Sequence, residues 1–370
     1  MSFLSAIGTM SGTSLDGVDV ALIETDGERI GRLGPAGYRP YSPDEQSLLR
    51  RALGAAAALT DRTARPGALA AAEALVTRAH AEAVEGFVAK NKIEESKVAI
   101  VGFHGQTVLH RPKARLTVQI GDGKALAKRL KLAVAYDFRA ADVAASGEGA
   151  PLVPVYHRAL AENLDVRRPV AVVNIGGVAN ITFIDGARDP IAFDTGPGNA
   201  PIDDLVRART GAAHDLDGKL AAKGEVHEAI VARVLADPFF ARQPPKSLDR
   251  AAFASLPLAS LSIEDAAATA TATVAASIAR ALDHLPMKPA TIIAVGGGAR
   301  NATLMSMLGR RLGTALLRGD DVGWSADAIE AQAFAYLAVR TLKGLPLTFP
   351  TTTGVARAMP GGVVATPGAD

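Results

Sequence analysis

The chain has 370 residues, 48% hydrophobic and 21% charged, a composition of folded globular proteins and a length for which two domains is the natural expectation. A formal net charge of +2 removes the electrostatic case for nucleic acid or an anionic membrane as partner, and the absence of cysteine excludes disulfides, thiolate nucleophiles and cysteine-ligated zinc together. No apolar run approaches the roughly 18 residues of a membrane helix and no basic, apolar leader precedes the first glycine turn, so the cytoplasm is the expected compartment.

Two apolar segments with strand character, Phe3 to Ile7 and Val18 to Ile23, flank a stretch from Gly8 to Asp19 built from glycine and small hydroxyl residues. That pattern predicts a turn between two strands. Gly12, Thr13, Ser14, Leu15, Asp16 and Gly17, with Asp19, make a candidate phosphate cradle: glycines let a ligand approach backbone N–H groups, hydroxyls donate, and Asp16 and Asp19 offer carboxylates of the kind magnesium takes. Taken alone, the same turn is better read as an ordinary polar hairpin.

Helical spacing predicts helices over Pro43 to Leu59 and Pro66 to Lys90. The buried-strand pattern Val98 to Phe103 then ends in His104, Gly105, Gln106 and Thr107, and polar residues at a strand end in an α/β sheet are ligand candidates. His104, Gln106 and Thr107 suit the hydroxyls of a sugar. A strand over Leu116 to Ile120, a helix over Lys124 to Leu130 and a strand over Leu132 to Tyr136 follow, and Asp137, Arg139 and Asp142 leave the last of these. Two carboxylates and a guanidinium in six residues suit a polyol or a carboxylate-bearing ligand, or else close a loop by a local Arg–Asp pair. The composition turns glycine-rich here, which places a domain boundary near residue 140.

The second half repeats the opening theme. Strands Val170 to Asn174 and Val178 to Ile184 are joined at Gly176 and Gly177, Ile191 to Phe193 runs into Asp194, Gly196 and Gly198, and Ile292 to Val295 runs into Gly297, Gly298 and Asn301 before a helix over Ala302 to Leu312. Backbone donors at a helix start suit the anionic part of a nucleotide, although no Walker sequence is present. The proline-rich loop Gln243 to Arg250 reads as a lid or as a plain connector. A last helix is predicted from Ser325 to Leu342, and Glu330 within it is either a solvated acid or a buried functional carboxylate. The repeated glycine turns suggest two similar α/β domains facing each other across a nucleotide.

In combination, Gly8 to Asp19, His104 to Thr107, Asp137 to Asp142, Asn174 to Ile181, Asp194 to Asn199 and Gly296 to Asn301 resemble the signature segments of the anhydro-N-acetylmuramic acid kinase family, in order over nearly the whole chain. The resemblance implies an actin-like, ribonuclease H-like fold: two facing domains with mixed sheets and an interdomain nucleotide cleft, residues 1–140 rejoined by about 342–370, and 141–341. It implies an ATP- and magnesium-dependent kinase that opens the 1,6-anhydro ring of its amino-sugar substrate with water and phosphorylates O6, in cell-wall recycling, and a homodimer. Asp194 falls in the segment of the family's catalytic aspartate and is the expected base. Asp16 is the expected metal residue; Gly176, Gly177, Gly196, Gly198, Gly297, Gly298 and Asn301 join the first turn in binding ATP, and Glu330 joins the residues around His104 and Arg139 in binding sugar. Ser146, Glu148 and the pair Leu248 and Asp249 depart from the family pattern. A kinase of the same superfold acting on another sugar or a small carboxylate is the alternative.

Overall fold

A computed structural model describes residues 2–12, 14–186, 188–253 and 255–368. The chain divides into two compact α/β units, one of Met1–Asn163 with Asp327–Asp370 and one of Leu164–Ala326.

In the first unit β1 (Leu4–Ser11), β2 (Gly17–Thr25) and β3 (Ile30–Pro40) form an antiparallel meander. β4 (Val98–Arg111) pairs parallel with β1, β6 (Val134–Tyr136) parallel with β4, and Val363–Ala365 closes the order, while β5 (Leu116–Ile120) pairs antiparallel with the far half of β4. β3 has no counterpart among the predicted strands: its Gly31, Gly34, Pro35 and Gly37 read as loop, and such residues are tolerated because it is an edge strand. The helices Pro43–Ala56, opened by a Ser42–Glu45 capping box, and Leu69–Asn91 cover one face, packing on Ile7, Val18, Val20 and Leu22, which alternate along their strands.

On the other face Ala21, Gly8, Gly102 and Ala135 stand side by side on four neighbouring strands. This row of minimal side chains lets helix Ile329–Leu342 lie against the sheet backbone: a Cβ at Gly8 would collide with the backbone of Ala331 and Ala335, and one at Gly102 with that of Phe334. The helix begins at Ile329 rather than at Ser325, with no side-chain cap. It therefore belongs to the first unit, as do the segments around Asp142 and Tyr156, which bond to Thr353 and Gln332. These contacts move the division from the expected 140 and 341 to 163 and 326.

In the second unit β7 (Val170–Ile175), β8 (Val178–Ile184) and β9 (Ile191–Pro197) form a meander, with β10 (Thr291–Val295) parallel to β7 and β11 (Ala315–Arg318) parallel to β10. The order β9-β8-β7-β10-β11 repeats the order β3-β2-β1-β4-β6, so the duplicated mixed-sheet layout read from the glycine turns is present in the chain topology. The Ala- and Thr-rich helix Ile263–Ala281, buried along most of its length, packs against this sheet. Among the described residues no helix is long and apolar enough to cross a membrane.

Candidate active site

The β1–β2 turn is held from inside. Leu15, at φ +56°, closes a turn by donating its N–H to Gly12 O at 3.3 Å, Ser14 Oγ donates to Asp16 Oδ1 at 2.7 Å, and Asp16 O accepts from Tyr41 N at 2.8 Å. Thr13 lies outside the described residues. The turn's glycines differ in kind. A Cβ at Gly17 would strike Arg39 O and the Tyr38 ring, so Gly17 serves strand packing, whereas a Cβ at Gly12 would find nothing nearer than Ser14 Oγ at 3.6 Å. Gly12 is not at positive φ either, so its own fold does not require glycine there; approach of a ligand to the backbone would.

Around this turn the first unit gathers charge. Burial, then the neighbouring carboxylates of Asp16, Glu330 and Asp327, push Asp19 up to about 7. Burial also raises Glu330, opposed by Arg139, and lowers Arg139 to about 10, opposed by Glu330 and Asp142. Arg139 donates from Nη1 to Gly149 O at 2.8 Å and from Nη2 to His104 Nε2 at 3.3 Å, while its buried Nε has no partner among the described residues. With Nε2 accepting, His104 carries its proton on Nδ1 and donates it to Gly105 O at 2.9 Å. Burial pushes the imidazole well below its ordinary range, so it is neutral, packed on the Phe334 ring at 4.6 Å. Asp327 is not among the sequence candidates, and its place three residues before Glu330 is the signal that could have found it. Among the described residues no three His, Asp or Glu side chains form a metal-ligand set. Asp16 and Asp19 still fit magnesium, which takes one or two carboxylates and leaves its other positions to water and phosphate; the crowding that raises Asp19 is what a cation would relieve.

Other residues singled out in the sequence are engaged by the protein itself. Gln106 is buried and its amide meets Ser11 and Gly12. Thr107 Oγ1 accepts from Gln119 Nε2 at 3.2 Å. Both Asp142 oxygens accept at 2.6 Å, from Gly149 N and from Thr353 Oγ1, so the 142–149 loop is closed by these bonds and by Arg139 on Gly149 O rather than by an Arg139–Asp142 hydrogen bond. Both Asp137 oxygens lie 2.6 Å from Arg62 Nη2, at the rim of a recess of about 110 Å³ that also includes His104, Gln119 and Tyr136.

The second unit brings its three glycine turns together. Asn199 N donates to Gly176 O at 2.7 Å and Gly198 N to Gly177 O at 3.1 Å, and a Cβ at Gly298 would collide with Ile175 and come within 2.9 Å of Asn199 Oδ1. Gly196, at φ +151°, abuts Ser277. Gly176 and Gly297 resemble Gly12: a Cβ on either would meet nothing closer than 3.5 Å, and neither has positive φ. Asn301 caps helix Ala302–Leu312 by accepting from Leu304 N at 2.9 Å. Asp194, half-buried on β9, donates its N–H to Lys246 O at 3.0 Å and accepts from Leu248 N at 2.7 Å through Oδ2, so the 243–250 loop is a clasp on Asp194. Sequence reasoning passed over Lys246, which is buried; desolvation, with Arg242 and Arg280 nearby, pushes its ammonium down to about 8.

Residues 4–367 match the family profile described as anhydro-N-acetylmuramic acid kinase. Relatives carrying that name include one from Rhodopseudomonas palustris, 60% identical, and one from Bradyrhizobium diazoefficiens, 59% identical, each aligned over 98% of this chain and all of the relative. Another, from Methylorubrum extorquens, is 54% identical over 99% of this chain and all of the relative.

Proposed function

The chain belongs to the anhydro-N-acetylmuramic acid kinase family, and from that premise we propose that it uses ATP and water to open 1,6-anhydro-N-acetylmuramic acid and phosphorylate it, giving N-acetylmuramic acid 6-phosphate and ADP for reuse of cell-wall sugar. The observation that carries this reading is the end-to-end match to curated relatives; the glycines whose lack of a Cβ the fold does not explain support it.

In this reading the backbone at Gly12 to Asp16 receives the phosphates of ATP, and the open glycines Gly176 and Gly297, backed by Gly177, Gly196, Gly198, Gly298 and Asn301, receive the rest of the nucleotide. Magnesium, when bound, neutralises phosphate charge; Asp16, with Asp19 beside it, would hold it directly or through water. His104, Arg139 and Glu330 orient the sugar, with Arg139 Nε free to donate. Asp194 takes a proton from water as the water oxygen bonds to C1. The C1–O6 bond breaks, O6 bonds to the γ-phosphorus in line, and ADP departs. The Leu248 amide holds one carboxylate oxygen of that base in place. A cytoplasmic homodimer completes the reading.

The test is turnover in oxygen-18 water. The expected product carries the label at the C1 hydroxyl and unlabelled phosphate at O6, with ADP formed in equal amount. Label in the phosphate, or transfer to plain hexoses or acetate at a higher rate than to the anhydro sugar, overturns the proposal.

A further inference from the structure

Lysine is seldom buried, because removing an ammonium from water is costly unless it is paired. Lys246 is 4% exposed and its nearest polar partners include no carboxylate. Its Nζ lies 3.1 Å from Phe239 O, 3.4 Å from Phe240 O and 3.2 Å from His284 Nε2, which itself is 2.8 Å from Phe240 O. The rings of Phe239 and Phe193 stand 4.8 and 5.6 Å from the ammonium. The carbonyls end the short helix Pro238–Ala241, and Phe193 directly precedes Asp194.

On its backbone side the same residue meets Asp194. β9 is the edge of its sheet, and Lys246 O accepts the Asp194 N–H there. Two residues on, Leu248 N grips Asp194 Oδ2. Residue 246 and the Leu248 amide are two peptide units apart, so the socket that seats the Lys246 side chain also anchors the start of the segment that grips the carboxylate.

We infer that Lys246 is a positioning residue for Asp194: its ammonium, seated on two helix-end carbonyls between two aromatic rings, pins the loop whose Leu248 amide orients the Asp194 carboxylate. The inference rests on Asp194 being the base. Misplacement of a reacting group by about 1 Å costs on the order of 100-fold in rate, so Lys246→Met should lower kcat by about 10- to 100-fold while KM for ATP and for the sugar stays within about 3-fold. Because the chain has no cysteine of its own, Lys246→Cys offers a single thiol. Aminoethylation of that thiol in denaturant, followed by refolding, rebuilds a lysine-length ammonium and should recover most of the kcat of wild-type protein refolded in the same way.

Lys246→Met should also change the residual rate of Asp194→Asn by less than about 2-fold, since an orienting residue has nothing left to orient, whereas a merely structural role would depress both backgrounds. A Lys246→Met enzyme with wild-type kcat, or one whose KM values rise as far as its kcat falls, overturns the inference, as does aminoethylated protein that melts normally without recovering turnover. Wild-type turnover in Asp194→Asn alone would instead overturn the assignment of the base.

Discussion

The carboxamide of Gln106 accepts a hydrogen bond from Ser11 Oγ at 2.6 Å, and its Nε2 donates to Gly12 O at 3.1 Å, so the middle of β4 is tied to the end of β1 and the turn that follows it. Gln106 belongs by sequence to a group suited to sugar hydroxyls, yet both ends of its amide are spent on the first turn. Gln106→Ala removes two hydrogen bonds of about 1 kcal/mol each. The expected result is a rise of about 10-fold in KM for ATP with KM for the sugar nearly unchanged, read from steady-state kinetics with each substrate varied in turn. A reversed pattern would return Gln106 to the sugar.

Gly12 and Gly198 differ in whether the fold itself requires glycine, which makes the proposed nucleotide role of Gly12 testable. A Cβ at Gly12 has room, so Gly12→Ala should leave stability within about 0.5 kcal/mol while weakening nucleotide binding about 10-fold. A Cβ at Gly198 would collide with Gly176 O, so Gly198→Ala should destabilise by on the order of 3 kcal/mol before any question of binding arises. Denaturant titration and nucleotide calorimetry on the two variants check both outcomes.

Asp142 accepts from Gly149 N and Thr353 Oγ1 with both oxygens. Asp142→Ala should cost about 2 to 4 kcal/mol, since it leaves a buried amide unsatisfied, and Thr353→Val about 1 kcal/mol. Both should appear as a lowered denaturation midpoint with sugar KM within about 3-fold of wild type. A large rise in KM at unchanged stability would restore Asp142 to the sugar site.

These contrasts mark what sequence can carry. Most strands and the glycine turns were legible because apolar runs and glycine clusters are local signals, and the repeated turns disclosed the duplication; β3, interrupted by glycine and proline, and the short β11 were not. The division of the chain was not legible. It depends on a row of Gly8, Gly102, Ala21 and Ala135 assembled from four strands, and no single segment shows that this row exists or that helix Ile329–Leu342 lies on it. Residue type made Arg139 a ligand candidate but could not tell it from Gln106 and Asp142, because what separates them is that Arg139 keeps a buried Nε with no partner among the described residues. Lys246 was invisible for the converse reason: a lysine in a polar loop reads as solvated.

Three buried histidines set the expected response to acid. Burial lowers His80 to about 4, His157 to about 3 and His104 well below its ordinary range. In the unfolded chain each titrates near 6.5, so below that pH the unfolded state binds more protons and unfolding becomes more favourable as pH falls. Each contributes a slope of up to about 1.4 kcal/mol per pH unit below pH 6.5, while Asp19, held up to about 7, and Glu330, also raised, work the other way, because the folded state takes up their protons first. Three imidazoles against two carboxylates should still lower the melting temperature below pH 6.5, with the imidazoles setting the downward slope. His80→Leu should remove about a third of that slope without affecting catalysis at pH 8, because His80 Nδ1 bonds only its own helix, at Val76 O, and its Nε2 has no partner among the described residues. Because folded His104 stays neutral over this range, its Nε2 goes on accepting from Arg139, so activity per folded molecule should not follow the limb. An identical pH response of the melting temperature in wild type and His80→Leu would show that His80 is not held neutral.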